Sequence, residues 1–144
     1  MNQKNLLGTA IAIAAEAFKD RIDKGGEPYM FHCIRVMMKQ TTIRRKILAI
    51  LHDVVEDTDI TFEDLIASGF GMDIIIPLKL LTHDPTEKEY DDYIRDISTH
   101  PDATAVKLSD LEDNSLITRL KGLTKNDFAR MEKYHRSYIY LSKI

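Results

Sequence analysis

Apolar positions recur every three or four residues along almost the whole chain, and that spacing predicts helices. Leu7, Ala10, Ile11, Ala14, Ala17 and Phe18 form a first stripe. Asp23-Lys-Gly-Gly-Glu-Pro28 interrupts it. The paired glycines end one helix, and Pro28 suits the first turn of the next, which runs from Tyr29 to about Lys39. Thr41 or Thr42 caps a third helix, with a core stripe of Ile43, Ile47, Leu51 and Val54 or Val55. Thr61 and Asp64 make a capping box ahead of Phe62, Leu65 and Ile66, and Gly69 stops that short helix. Ile74 to Leu81 is apolar with Pro77 inside, which predicts a helix that starts late or kinks at the proline. Thr86-Glu-Lys-Glu89 is expected to open a helix bearing Tyr90, Tyr93, Ile94 and Ile97, and Pro101 another that ends near Asn114. Thr124-Lys-Asn-Asp127 caps the last, with Phe128, Met131, His135, Tyr138 and Ile139 as its stripe. No segment keeps a two-residue alternation between hairpin turns, so strands are not predicted. The expectation is one all-α domain over residues 1–144, with roughly seven to nine helices.

Bulk properties narrow the function. The 144 residues suffice for one domain with a real core. A net charge of −3 disfavours DNA or RNA as a partner. No apolar run is long enough for a bilayer and no leader pattern opens the chain, so no membrane partner is expected. The single cysteine, Cys33, excludes an internal disulfide and fits a reducing cytoplasm.

The chemistry concentrates in Leu51-His-Asp-Val-Val-Glu-Asp-Thr58, directly after the apolar run Ile47 to Leu51. Ionisable groups beside a buried helix cost several kcal/mol, in the order of magnitude known for such burial, unless something pairs with them. A divalent metal is the obvious partner, and mixed imidazole and carboxylate donors suit Mn, Fe, Zn or Ni over Ca. On one helix, His52 and Glu56 are four apart, as are Asp53 and Asp57, so each pair shares a face. His32, one turn into its helix, and Asp110, in an apolar frame of Val106, Leu108 and Leu111, complete a set of N and O donors with His52 and Asp53. Such a set leaves positions open for water and substrate. Taken singly, each has a bland reading: a satisfied histidine, a helix-surface acid, a solvated helix end. A second His-Asp pair, His83-Asp84, reads as a loop and lacks the following acids. Tyr134, Tyr138 and Tyr140 among Arg130, Lys133 and Arg136 read as a core stripe backed by solvated charge.

The order His, His-Asp, Asp resembles the HD-domain metal-dependent phosphohydrolases. Gly-Glu-Pro-Tyr-x-x-His at 26–32, His-Asp-Val-Val-Glu-Asp-Thr at 52–58 and Lys-Leu-Ser-Asp at 107–110 resemble the ppGpp hydrolase domain of RelA/SpoT proteins and the stand-alone small alarmone hydrolases. The resemblance implies an all-helical fold and one Mn²⁺ held by His32, His52, Asp53 and Asp110. It implies hydrolysis of the 3′-diphosphate of ppGpp and pppGpp by a metal-activated water. Glu56 and Asp57 match the acidic pair that acts on that water. Lys24, Tyr29, Lys107 and Asn114 match substrate-side positions. The chain departs from the pattern at Asp23, where the relatives carry a base-stacking Arg, at Asp113 in place of His, and at Leu116 in place of Arg, with Arg119 three residues on. Arg21 is the candidate to replace the missing stacking group, and Asp23→Arg is expected to improve handling of ppGpp. Another phosphorylated nucleotide or small phosphoester is the alternative substrate, and a non-catalytic nucleotide-binding module the second alternative. Homo-oligomerisation is left open.

Overall fold

The computed structural model describes residues 2–144. Among them there are nine α-helices and one 3₁₀ turn and no strand; the nearest approach is an isolated antiparallel bridge between Ile22 and Pro28. The helices are α1 Gln3–Ala17, α2 Tyr29–Met38, α3 Ile43–Leu51, α4 Val54–Asp57, α5 Phe62–Ala67, α6 Met72–Leu81, α7 Tyr90–Ile97, α8 Pro101–Asn114 and α9 Lys125–Ser142. The 3₁₀ turn, Ile117–Arg119, links α8 to α9.

Local signals set most boundaries. Thr42 caps α3 by accepting the Arg45 N–H. Thr61 with Asp64, and Thr124 with Asp127, form reciprocal capping boxes on α5 and α9, each satisfying two otherwise orphaned donors. The proline in α6 does not delay the helix, which begins at Met72 and runs through Pro77. Thr86 to Glu89 does not open α7. The Asp84 carboxylate accepts the N–H and hydroxyl of Thr86, and the Asp84 carbonyl accepts from Glu87 and Lys88, so a local turn claims these residues. The helix starts at Tyr90.

α3 lies at the centre, packed by α1, α2, α6 and α8. Its residues Ile47 to Leu51 are buried on every side, with at most 1% exposure, and so tolerate no polar neighbour that lacks a partner. α9 lies across α8 on a face turned partly away from its apolar pattern. Met131 and Tyr138 of the expected stripe are half-buried, whereas Phe128, His135 and Ile139 are exposed; Asp127, Ser137 and Leu141 are buried and Tyr134 half-buried. No helix among the described residues is long and apolar enough to cross a membrane.

Candidate active site

The buried helix α3 ends at Leu51, and His52 and Asp53 form a turn before the single turn of α4. The continuous helix expected through this run is therefore broken between its two halves. Asp53 stays linked to Asp57, whose N–H it accepts at 3.0 Å, but His52 turns back toward the core. There it meets His32 from α2 and Asp110 from α8. His32, His52, Asp53 and Asp110 each direct one ligand-type atom to a common point, all within 4.8 Å of one another. Asp110 Oδ1 lies 3.0 Å from His32 Nε2 and 3.1 Å from His52 Nε2, and Asp53 Oδ2 lies 3.0 Å from His52 Nε2.

Partners outside this point fix the orientation of each donor. The His52 Nδ1 donates to the Ala49 carbonyl at 2.5 Å, and the His32 Nδ1 to Asp113 at 2.6 Å, so both rings turn Nε2 inward. Tyr29 donates its hydroxyl to Asp53. Lys107 donates to Asp110 Oδ2 at 2.9 Å and Asn114 to Asp110 Oδ1 at 3.1 Å. Burial opposes charge on His52, yet Asp53 and Asp110 outweigh it and raise its pKa well above the ordinary histidine value. His32 is likewise raised by Asp110 and Asp113 against burial. Burial opposes ionisation of Asp110, but Lys107 and the histidines hold its carboxyl well below the usual range. The donor set, two imidazole nitrogens and two carboxylate oxygens, fits a divalent transition metal; the outer atoms of His32, His52 and Asp110 are engaged, whereas Tyr29 bonds the same Asp53 Oδ2 that faces the point.

Glu56 and Asp57 stand beside this cluster. Asp53, Glu56 and Asp57 bring one carboxylate oxygen each within 4.8 Å of the others. Glu56 Oε1 accepts the backbone N–H of His83 at 2.6 Å. Glu56 is exposed as a residue, but burial of its carboxylate lifts the pKa to about 7; the His83 bond opposes the rise, and Asp53 and Asp57 add to it. Asp57 is raised by burial and Asp53, and Arg21 approaches it at 3.7 Å.

Above these groups opens a cleft of about 740 Å³. Every residue singled out by sequence lines it or lies at its floor: Arg21, Lys24, Tyr29, Lys107 and Asn114 with the acids and histidines. Arg21 stacks over the Tyr29 ring at 4.6 Å. Asp23 lines the cleft too, but its carboxylate accepts the N–H of Gly25 at 2.9 Å and of Glu27 at 3.0 Å. It organises the loop that carries Lys24, and an Arg at 23 would forgo both bonds, which counts against the expected gain from Asp23→Arg. Sequence reasoning missed Arg130, Lys133 and Tyr134 of α9, which close the far wall. Their signal was the spacing of 130, 133/134 and 137 on one face, hidden by the more apolar Phe128 and Ile139. It also missed Asp113 as a buried partner of His32, and the loop of His83, whose backbone reaches Glu56. Lys24 and Lys133 are both lowered by burial, with Arg130 adding to each, as expected of cations crowded around a site for an anion.

No protein-family model matches the chain. Its structure is similar to that of a metazoan ortholog of SpoT described as hydrolysing ppGpp and acting in starvation responses. The TM-score is 0.78 and the sequence identity 24%, over 94% of this chain and 84% of that one. The two chains thus share one fold.

Proposed function

We propose that this protein is a Mn²⁺-dependent hydrolase of ppGpp-type nucleotides, a single HD-type domain over residues 1–144 that works in the cytoplasm. The observation that carries the reading is the convergence of His32, His52, Asp53 and Asp110 beneath a cleft walled by cations. These four residues would hold the ion, which when bound supplies Lewis-acid stabilisation of phosphoryl oxygens and lowers the pKa of a water. Glu56, with one oxygen on the His83 N–H, keeps the other for the proton of the attacking water. Asp57, tethered near Arg21, orients the same water. Lys24, Arg130 and Lys133 face the polyanion, and the Arg21–Tyr29 stack offers a flat surface for a base. Hydrolysis of the 3′-diphosphate ester releases pyrophosphate with GDP or GTP.

A second reading keeps the hydrolase and changes the nucleotide. It is favoured by Asp23, whose carboxylate is committed to the loop and leaves base recognition to Arg21 alone among the loop's arginines. Product release with Mn²⁺ from ppGpp, pppGpp, other phosphorylated nucleotides and simple phosphoesters tests both. Pyrophosphate from ppGpp supports the first reading, and turnover confined to another compound supports the second. A protein that binds nucleotide and turns over nothing in the panel is a binding module, and both readings fall.

A further inference from the structure

Asp113 has no exposed surface and lies on α8 one turn beyond Asp110. Positions three apart share a helix face, so α8 meets His32 twice. Asp110 faces Nε2 at 3.0 Å, and Asp113 Oδ2 takes Nδ1 at 2.6 Å. The rest of the Asp113 carboxylate is also engaged. Arg35 donates from Nε at 2.8 Å and from Nη2 at 3.1 Å, and Arg119 Nη1 lies at 3.3 Å. Arg119 reaches the Asp113 carbonyl as well.

We infer that Asp113 is a positioning residue for the metal centre: it fixes the tautomer and rotation of His32 and so aims Nε2 at the point shared with His52, Asp53 and Asp110. The inference rests on the metal-centre reading above. The terminal torsion of a histidine is broad and roughly two-fold, so packing alone leaves the ring free to present either nitrogen. A carboxylate on Nδ1–H removes that freedom and raises the basicity of the opposite nitrogen. Two guanidinium groups balance the charge of Asp113, so from His32 it needs only a hydrogen bond, compatible with a neutral imidazole acting as ligand. Arg119 also lines the cleft, so the same carboxylate ties the metal floor to the substrate wall.

The test is Mn²⁺ titration of wild type and Asp113→Leu in parallel, with free Mn²⁺ read by electron paramagnetic resonance and helicity by circular dichroism. Leu keeps a similar size and removes the acceptor that holds Nδ1–H. The expected result is one Mn²⁺ per chain in wild type and about ten- to a hundredfold weaker binding in the variant, the usual effect of losing such an outer partner, with metal-free helicity retained. A role in packing alone would lower stability and leave the affinity of the folded protein unchanged. Equal affinities overturn the inference and leave the metal-centre reading standing. No binding by wild type overturns that reading and the inference with it. If Asp113→Leu does not fold, the histidine-ring ¹⁵N–¹H spectrum of wild type loaded with Zn²⁺, a diamagnetic probe, decides. A proton on His32 Nδ1 supports the inference, and a proton on Nε2 overturns it.

Discussion

Glu56→Gln separates the handling of water from the binding of metal. The side chain keeps its length, and the amide carbonyl can still accept the His83 N–H that Glu56 Oε1 accepts at 2.6 Å. What disappears is the second oxygen, replaced by an NH₂ group that cannot take a proton. Loss of a positioned general base costs about 10²–10⁴-fold in turnover, or about 3–5 kcal/mol of barrier. The pH profile sharpens the test. Burial raises the Glu56 carboxyl from 4.5 to about 7. The working form is the carboxylate, so turnover rises with pH; a group of that pKa is about half ionised at pH 7 and about one-tenth ionised at pH 6. A bound cation favours the carboxylate, which places the limb between 4.5 and 7. The assay is kcat against pH at saturating Mn²⁺ for wild type and Glu56→Gln, with metal content measured in both. The variant should keep its metal, turn over slowly and lose the limb. Wild-type turnover in the variant, or the same limb persisting in it, would refute the role.

His52→Ala and Asp110→Ala should each abolish stoichiometric Mn²⁺ binding while circular dichroism still shows a helical protein; full occupancy in either variant sinks the ligand set. The metal-free protein should lose stability as pH rises above 6.5, because His32 and His52 are raised in the folded state. Their contribution is whole below the unfolded value and vanishes as pH passes the folded ones. Thermal melts of chelated protein across that range check this, and a melting temperature that climbs through it contradicts the assignment. Asp23→Arg should raise KM for the nucleotide, since it frees the Gly25 and Glu27 N–H groups, each bond contributing about 0.5–1.5 kcal/mol, and unsettles the loop carrying Lys24. Improved kcat/KM on ppGpp would restore the stacking argument.

The helices were legible because their signals are local. Thr42, Thr61 and Thr124 cap the helices their positions predict, and the period of apolar residues locates α3 in the core. The convergence of His32, His52, Asp53 and Asp110 was legible because their order and spacing along three helical segments match the motifs that carry the resemblance. The break at His52 was not, since α3 and α4 share an unbroken helical pattern and only packing against α2 and α8 turns the chain there. The face of α9 was partly misread for a related reason. An apolar stripe points to a core only where no cleft competes for the same side, and here Arg130, Lys133 and Tyr134 face the cleft while Phe128 faces out. Asp113 read as a changed pocket position; its bond to His32, 81 residues away in sequence, is visible only once the helices are packed.

The architecture divides the proposed metal floor from the proposed recognition wall. His32, His52 and Asp110 are almost wholly buried, on or next to helices that pack against α3. Each has its outer atoms bonded to a neighbour, so moving any of them disturbs the core. The cleft wall is built differently. Arg21 and Lys24 sit on a loop held by Asp23 and by the Ile22–Pro28 bridge, and Arg130 and Lys133 on the half-exposed face of a terminal helix. Substitutions there cost little stability, because exposed or partly exposed charges contribute little to folding. The proposed metal and water residues stand in the motifs that carry the resemblance, and the departures from it at 23, 113 and 116 fall around them. Two of those departures meet physically: Leu116 has left the cation position, Arg119 supplies a guanidinium from the next turn, and it docks on the carboxylate of Asp113. Leu116 and Asp113 are thus joined through Arg119 where wall meets floor, whereas the carboxylate of Asp23 is committed to its own loop.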